Sequence, residues 1–291
     1  MTLQEKLGEA RARLMAAGIR EADASIDVDL YARVILGWDR ARLLTEHRGA
    51  PPQTLEPRFS EWIARRERRE PTAYIVGVRE FWGLEFEVTP SVLIPRPETE
   101  FIVEEALALR QAGRLKSAGS PANGLRLADI GTGSGNIAIS LAREIAACRV
   151  IGSDVSGEAL VVARRNAERN GVADRVRFVT TSYLDGVEGV FDLMTANPPY
   201  VKDGDKPAIS RDVRHEPEVA LFGGKDGLRD LGGVLKTARA KLEPGGWLIT
   251  EFGYGQEEDV RDLVKATGGL CVDHIREDLQ GIARTAIIQR Q

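Results

Sequence analysis

Asp129-Ile130-Gly131-Thr132-Gly133-Ser134-Gly135-Asn136 follows an apolar run that begins at Leu125 and precedes a helical apolar face that begins at Ile137. That order reads as a strand, a tight glycine turn and a helix. Glycine lets backbone adopt positive φ and approach a ligand closely, and the N–H groups at a helix start favour a carboxylate or phosphate. A glycine-rich turn alone is a weak signal, because any tight turn needs glycine. The next strand-like run ends at Asp154, 19 positions beyond Gly135, where a carboxylate can accept hydrogen bonds from both hydroxyls of a ribose. The spacing is G-x-G-x-G rather than the dinucleotide G-x-G-x-x-G, which favours a mononucleoside cofactor over NAD. S-adenosyl-L-methionine fits, with its methionine carboxylate and amine against the turn. The expected cofactor residues are Gly131, Thr132, Gly133, Ser134, Gly135 and Asp154.

Around this turn, strand-like and helix-like segments alternate. Leu125 to Ile130, Arg149 to Asp154, Val176 to Thr180, Phe191 to Ala196 and Trp247 to Phe252 read as strands, with helical segments between most of them. Such alternation predicts a parallel, doubly wound sheet of the Rossmann-like α/β class. Upstream, the small-residue stretch from Ala112 to Gly124 carries turn chemistry and marks a change of pattern.

The fourth strand runs into Asn197-Pro198-Pro199-Tyr200. Ligands of open α/β sheets sit outside the carboxyl ends of strands, so this tetrad should lie beside the cofactor. The prolines fix the backbone and leave the carbonyls of Asn197 and Pro198 outside helical pairing. A planar NH2 group could donate one hydrogen bond to the Asn197 side-chain oxygen and another to a backbone carbonyl, with Tyr200 packed on its plane. An amide nitrogen is a poor nucleophile while its lone pair is delocalised. Holding both hydrogens favours a more tetrahedral nitrogen whose lone pair can face a sulfonium methyl group, so positioning replaces a strong base. Asn197, Pro198 and Tyr200 are the expected catalytic residues, Asn197, Pro198, Pro199 and Tyr200 the expected acceptor site, and Asn197 also borders the cofactor.

The N-terminal part reads differently. Thr2 and Glu5 have capping-box spacing, and Leu3, Leu7, Ala10, Leu14 and Ala17 form a helical stripe closed by Gly18. A second stripe, Ile26, Leu30 and Val34, ends near Gly37, a short helical stretch surrounds Leu43, and Leu55, Phe59, Trp62 and Ile63 mark a helix that Pro71 terminates. The cluster Arg65, Arg66, Arg68 and Arg69 reads as a solvated helix face rather than a docking patch. Phe81 to Val88 alternates around Gly83, as a β-hairpin does. The expected organisation is a helical bundle over 1–76, a hairpin linker over 77–95 and the α/β domain over 96–291.

The chain has 291 residues, 43% hydrophobic and 29% charged, which suits a soluble globular protein. A net charge of −4 argues against a broad grip on nucleic acid. The two cysteines, Cys148 and Cys271, lie among apolar residues and read as buried thiols of a reducing compartment, and the three histidines lack metal-ligand spacing, so no metal is expected. Without a signal-like start or a membrane-length apolar run, the expected location is the cytoplasm, with no membrane partner.

The sequence resembles the bacterial release-factor glutamine N5-methyltransferases, the PrmC/HemK family, from about Leu3 to the C-terminus. The matches are Arg69-Glu70-Pro71, Tyr74-Ile75 with Gly77, Glu80 to Gly83, Leu93-Ile94-Pro95-Arg96-Pro97-Glu98-Thr99-Glu100, the glycine turn, Asn197 to Val201, and Val213 to Pro217. The resemblance implies methylation of the glutamine side chain in the Gly-Gly-Gln motif of class I peptide chain release factors. It also implies a helical N-terminal domain that holds the release factor and Tyr183 against the adenine; a monomer is the expected state. The segment Thr181-Ser182-Tyr183-Leu184 departs from the family's Asp before an aromatic residue, and Asp278 to Arg284 is a loosened form of Asp-Leu-x-Gly-x-x-Arg. Two rivals differ in chemistry. A nucleic-acid amino methyltransferase would use the same tetrad on an exposed base, against which the acidic charge weighs. A nicotinamide oxidoreductase would leave the tetrad without a purpose.

Overall fold

The computed structural model describes residues 1–117 and 124–291. The turn-rich stretch expected between Ala112 and Gly124 therefore lies partly outside the described residues. The chain divides into two compact units, one of Met1–Val78 with Ser210–His215 and one of Arg79–Ile209 with Glu216–Gln291.

The first unit holds α1 (Leu3–Ala16), α2 (Glu21–Leu36), α3 (Arg40–Glu46), α4 (Arg58–Glu67) and α5 (Thr72–Val76). The Thr2 and Glu5 side chains form the expected reciprocal capping box, and Leu3, Leu7, Ala10 and Leu14 are buried along one stripe. In α2 the buried face is not the expected one. Ile26 and Val34 are exposed, while Ala24, Asp27, Val28, Tyr31 and Ala32 are buried. The helix is turned by a polar anchor: Asp27 accepts from Arg66 Nε at 2.7 Å and from the Thr72 hydroxyl at 2.6 Å, and Tyr31 meets Trp62 edge to face. Leu55 sits in a 3-10 turn before α4 rather than in it, and α4 ends at Glu67, ahead of Arg69 at φ 68° and well before Pro71.

The arginine cluster is not a solvated face. Arg66 is buried and also donates to Asp212, Arg69 donates to the other oxygen of Asp212 at 2.6 Å, and Arg65 pairs with Glu70. These three charges face acceptors in fixed geometry, which a run of like charges cannot reveal in one dimension, and Arg68 is exposed.

In the second unit, β1 (Val78–Phe81) enters from the unit boundary and pairs with β2 (Leu84–Glu87) across Trp82 and Gly83, both at positive φ. That is the primed turn a two-residue hairpin prefers. After α6 (Glu100–Gln111) come β3 (Leu125–Ile130), α7 (Asn136–Glu144), β4 (Cys148–Asp154), α8 (Gly157–Arg169), β5 (Val176–Thr180), β6 (Phe191–Ala196), α9 (Arg229–Lys241), β7 (Leu242–Glu251), α10 (Glu257–Thr267), β8 (Leu270–Glu277) and β9 (Ala283–Arg290). The seven strands run in the order β5-β4-β3-β6-β7-β9-β8. The first five are mutually parallel, but β9 is antiparallel to both β7 and β8. The sheet is therefore mixed, not wholly parallel. Of the two added strands, β9 is buried from Thr285 to Ile288, while β8 is an edge strand with only Leu270 buried. Helices α6 and α7 pack on one face and α9 and α10 on the other. Cys148 is buried as expected, whereas Cys271 on β8 is exposed.

Removing one partner of a buried ion pair leaves an uncompensated charge, which costs about 3–5 kcal/mol. Asp27→Ala should destabilise the helical unit by that amount. The double variant Asp27→Ala with Arg66→Met should lose less than the sum of its two single variants, measured by denaturant melts. Additive losses would show that the pair is not a coupled buried contact.

Candidate active site

The register of the sheet brings three strand ends together, with Ile130 level with Ser153 of β4 and Ala196 of β6. The chain must leave all three there, so the Gly131–Gly135 turn, Asp154 and Asn197 converge on one edge. The turn is pinned by the N–H groups of Gly131 and Thr132, both donating to Ser153 O at 2.9 Å. Gly131, Gly133 and Gly135 have φ of 70°, 53° and 82°, which side chains strain to adopt. Gly135 is doubly constrained, because a Cβ there would lie 2.9 Å from Ile139 Cδ1. At Gly131 and Gly133 a Cβ would project into open space. Those two residues form a cradle that a side chain would fill.

The cleft over this edge has room for about 200 Å³ of solvent and is walled by Gly131, Gly133, Asp154, Tyr183, Asn197 and Pro198, among others. Thr132 and Ser134 are buried and line a smaller adjoining hollow with Asn197. Neither Gly135 nor Tyr200 is on the main wall. Asp154 accepts the N–H of Gly133 through Oδ2 and that of Ser156 through Oδ1, each at 2.9 Å. With Val155 N–H as a further backbone donor, these bonds leave part of the carboxylate's acceptor capacity for a ligand hydroxyl. Burial raises the Asp154 pKa above the usual carboxylate value, opposed by these backbone hydrogen bonds. Tyr183, at φ 50°, lies against Gly233 of α9, where a Cβ would meet the ring at 2.0 Å. The ring stands in the wall only because that position is glycine.

Behind the wall two polar assemblies hold the turn and the tetrad. Asp129 is buried and accepts the hydroxyls of Thr132 at 2.6 Å and Thr195 at 2.8 Å. On the other side, Asn197 Nδ2 donates to Thr99 Oγ1 at 3.0 Å, Thr99 donates to Glu251 Oε2 at 2.7 Å, and the Tyr200 hydroxyl donates to Glu251 Oε1 at 3.1 Å. Burial pushes the Glu251 pKa up, and Thr99 and Tyr200 pull it down. The tetrad backbone is braced from outside, since a Cβ at Gly223 would lie 2.2 Å from Pro199 O and one at Gly227 2.2 Å from Tyr200 O.

The family description "PrmC N-terminal domain" matches residues 5–77 and "Methyltransferase small domain" matches residues 114–222. A release factor glutamine methyltransferase of Moorella thermoacetica is 39% identical over 296 residues, covering 100% of this chain and 99% of the relative. Another from Bradyrhizobium diazoefficiens is 40% identical, covering 95% and 92%. The chain belongs to the release factor glutamine methyltransferase family. A methyltransferase structure from Pyrococcus furiosus matches with a TM-score of 0.50 and 25% identity, covering 72% of this chain and 90% of that one. The protein is a methyltransferase.

Two residues of the site carried no assigned role in the sequence. Thr99 was visible only as part of a longer matching segment, and Glu251 ends an apolar run like many strand-terminal carboxylates. The available signal was position: a carboxylate at the carboxyl end of the strand beside β6 faces the same edge as Asn197.

Burial raises Asp129 to about 6, with Asp154 adding repulsion, against the hydrogen bonds from Thr132 and Thr195. A carboxyl with a raised folded pKa binds its proton more tightly folded than unfolded, so protonation favours the fold. Its contribution to stability therefore falls as pH rises from the ordinary aspartate range through about 6 and is level above. Wild type should gain stability relative to Asp129→Asn on acidification from pH 7 to 4, by on the order of 2–3 kcal/mol. Paired denaturant melts across that range measure it, and a constant difference would contradict the assignment.

Proposed function

We propose that the protein transfers a methyl group from S-adenosyl-L-methionine to the side-chain nitrogen, N5, of the glutamine in the Gly-Gly-Gln motif of class I peptide chain release factors, releasing S-adenosylhomocysteine. The observation that carries this reading is the Asn197 side-chain amide, held by Thr99 in the wall of a cleft that Gly131, Gly133 and Asp154 also line. Family membership supports the acceptor.

The residues fit the donor. Gly131 and Gly133 leave space for close backbone approach, and Thr132, Ser134 and Gly135 shape the turn behind them. Asp154 would take the ribose hydroxyls and Tyr183 would lie against the adenine, both on the cleft wall. When bound, S-adenosylmethionine supplies a sulfonium methyl group of high electrophilicity. The protein's part is positional. Asn197 Oδ1 accepts one hydrogen of the glutamine NH2, and the backbone carbonyl of Pro198 accepts the other. Pro199 and Tyr200 hold that backbone in place, and Tyr200 is anchored by Glu251. Two accepted hydrogens draw the nitrogen lone pair out of conjugation, and the excess proton leaves to water after transfer. The 1–76 helical region recognises the body of the release factor, so that binding energy remote from the glutamine positions it. The enzyme works in the cytoplasm as a monomer, with no nucleic-acid or membrane partner.

Asp154→Ala should weaken S-adenosylmethionine binding by about 1–3 kcal/mol in calorimetry, from loss of the ribose acceptor and of the brace on Gly133 N–H. Equal affinity in the folded variant would remove Asp154 from the cofactor site. Mass spectrometry of a release factor after reaction should show one added methyl group on the Gly-Gly-Gln glutamine. Asn197→Ala should lower that turnover by about 100-fold or more. Modification of another residue, or wild-type turnover by the variant, would overturn the reading.

A further inference from the structure

The polar assembly behind Asn197 has a direction. Glu251 is 2% exposed and lies between two hydroxyls. As a carboxylate it can only accept. Thr99 must therefore point its one hydroxyl hydrogen at Glu251 Oε2, as must Tyr200 at Oε1. With its hydrogen committed, Thr99 Oγ1 can only accept from Asn197, and the group that can donate is Nδ2, 3.0 Å away. An amide is planar, with its nitrogen and oxygen on opposite sides of the carbonyl carbon. Fixing Nδ2 on Thr99 thus turns Oδ1 away from Thr99, on a residue that borders both the cleft and the adjoining hollow.

We propose that Thr99 and Glu251 are positioning residues that lock the Asn197 amide with its oxygen toward the acceptor, so that the negative charge of Glu251 selects an NH2-bearing substrate. The inference rests on the reading of Asn197 as the acceptor-binding residue and deepens it. With the amide reversed, Asn197 would present N–H to N–H, and the acceptor nitrogen would lose its partner and gain a repulsion. The charge never touches the substrate. It acts through the single hydrogen of one threonine.

The surroundings of Glu251 set its titration. Thr99 and Tyr200 lie on its oxygens, Glu98 disfavours its charge, and Arg284 of β9 favours it, while burial raises its pKa most. On acidification Glu251 gains a hydrogen it can donate to Thr99, and the direction of the relay is no longer imposed. Turnover should therefore fall on the acid side, beginning above the ordinary glutamate range. Asp129 and Asp154 also titrate upward near the cleft. Comparing wild type with Glu251→Gln isolates the share of Glu251.

The test compares wild type, Thr99→Val, Thr99→Ser, Glu251→Gln and Asn197→Ala on an intact release factor. The readouts are kcat, KM, S-adenosylmethionine affinity by calorimetry, and the side-chain amide resonance of Asn197 in the free protein. Thr99→Val and Glu251→Gln should lose about 100-fold in kcat, the cost of a misoriented contact, with cofactor affinity unchanged. Thr99→Ser keeps the hydroxyl and should turn over like wild type. The Asn197 resonance should move in Thr99→Val and stay in Thr99→Ser, and Glu251→Gln should flatten the acid limb of the kcat profile. Wild-type kcat in Thr99→Val or Glu251→Gln beside an inactive Asn197→Ala would overturn the relay and leave the proposed reaction standing. Equal loss in the serine and valine variants would overturn it too, by making Thr99 a packing residue. Should Thr99→Val fail to fold, an acid limb unchanged in Glu251→Gln would be enough to sink the proposal. Failure of the proposed function itself looks different: wild type would methylate no glutamine, or Asn197→Ala would match it.

Discussion

Asp129 stands one residue before the end of β3, flanked in the sheet by Gly152 of β4 and Thr195 of β6. Its two oxygens accept from Thr132 in the glycine turn and from Thr195, two residues before Asn197. One buried carboxylate thus joins the glycine cradle to the strand that delivers the tetrad. A buried charge is tolerated only where donors surround it, so the turn and the strand end cannot drift apart without stranding that carboxylate. The distance across the cleft is set by this hub rather than by the loops that line it.

The tetrad gains its rigidity from both sides. Prolines at 198 and 199 limit φ, and glycines at 223 and 227 let a second segment lie against the carbonyls of Pro199 and Tyr200. Gln256 adds donors to Tyr200 O and Asp226 O. Such close packing has no room for a Cβ, and it removes the small rotations that would misplace an acceptor nitrogen. The proposed catalysis by orientation demands this rigidity, because in that mechanism no general base compensates for a loosely held nucleophile.

Three carboxylates meet at this edge, Asp129 and Glu251 buried and Asp154 half-buried, and environment separates their tasks. Asp129 accepts two hydroxyls and holds structure. Asp154 accepts backbone N–H groups on both oxygens and stands in the cleft wall. Glu251, among Thr99 and Tyr200, is shielded from the cleft and is proposed to set the direction of a hydrogen-bond chain. Burial raises the pKa of all three, so the site as a whole is sensitive to mild acid.

The α/β class, the strand that ends at Ile130, the glycine turn and the position of the tetrad were all legible in the sequence. These depend on local periodicity and on backbone demands that only glycine and proline meet. The capping box at Thr2 and the hairpin turn at Trp82 and Gly83 were legible for the same reason. The buried face of α2 was not, because Asp27 enters the interior only when Arg66 and Thr72 meet it there, and the sequence distance between them hides the pairing. The antiparallel β9 was missed because strand direction is set by which neighbour pairs with it. Thr99 and Glu251 belong to this second class. Their importance comes from three hydrogen bonds spanning β7, the turn before α6 and the end of β6, a juxtaposition that exists only once burial and register have brought those distant segments to one edge.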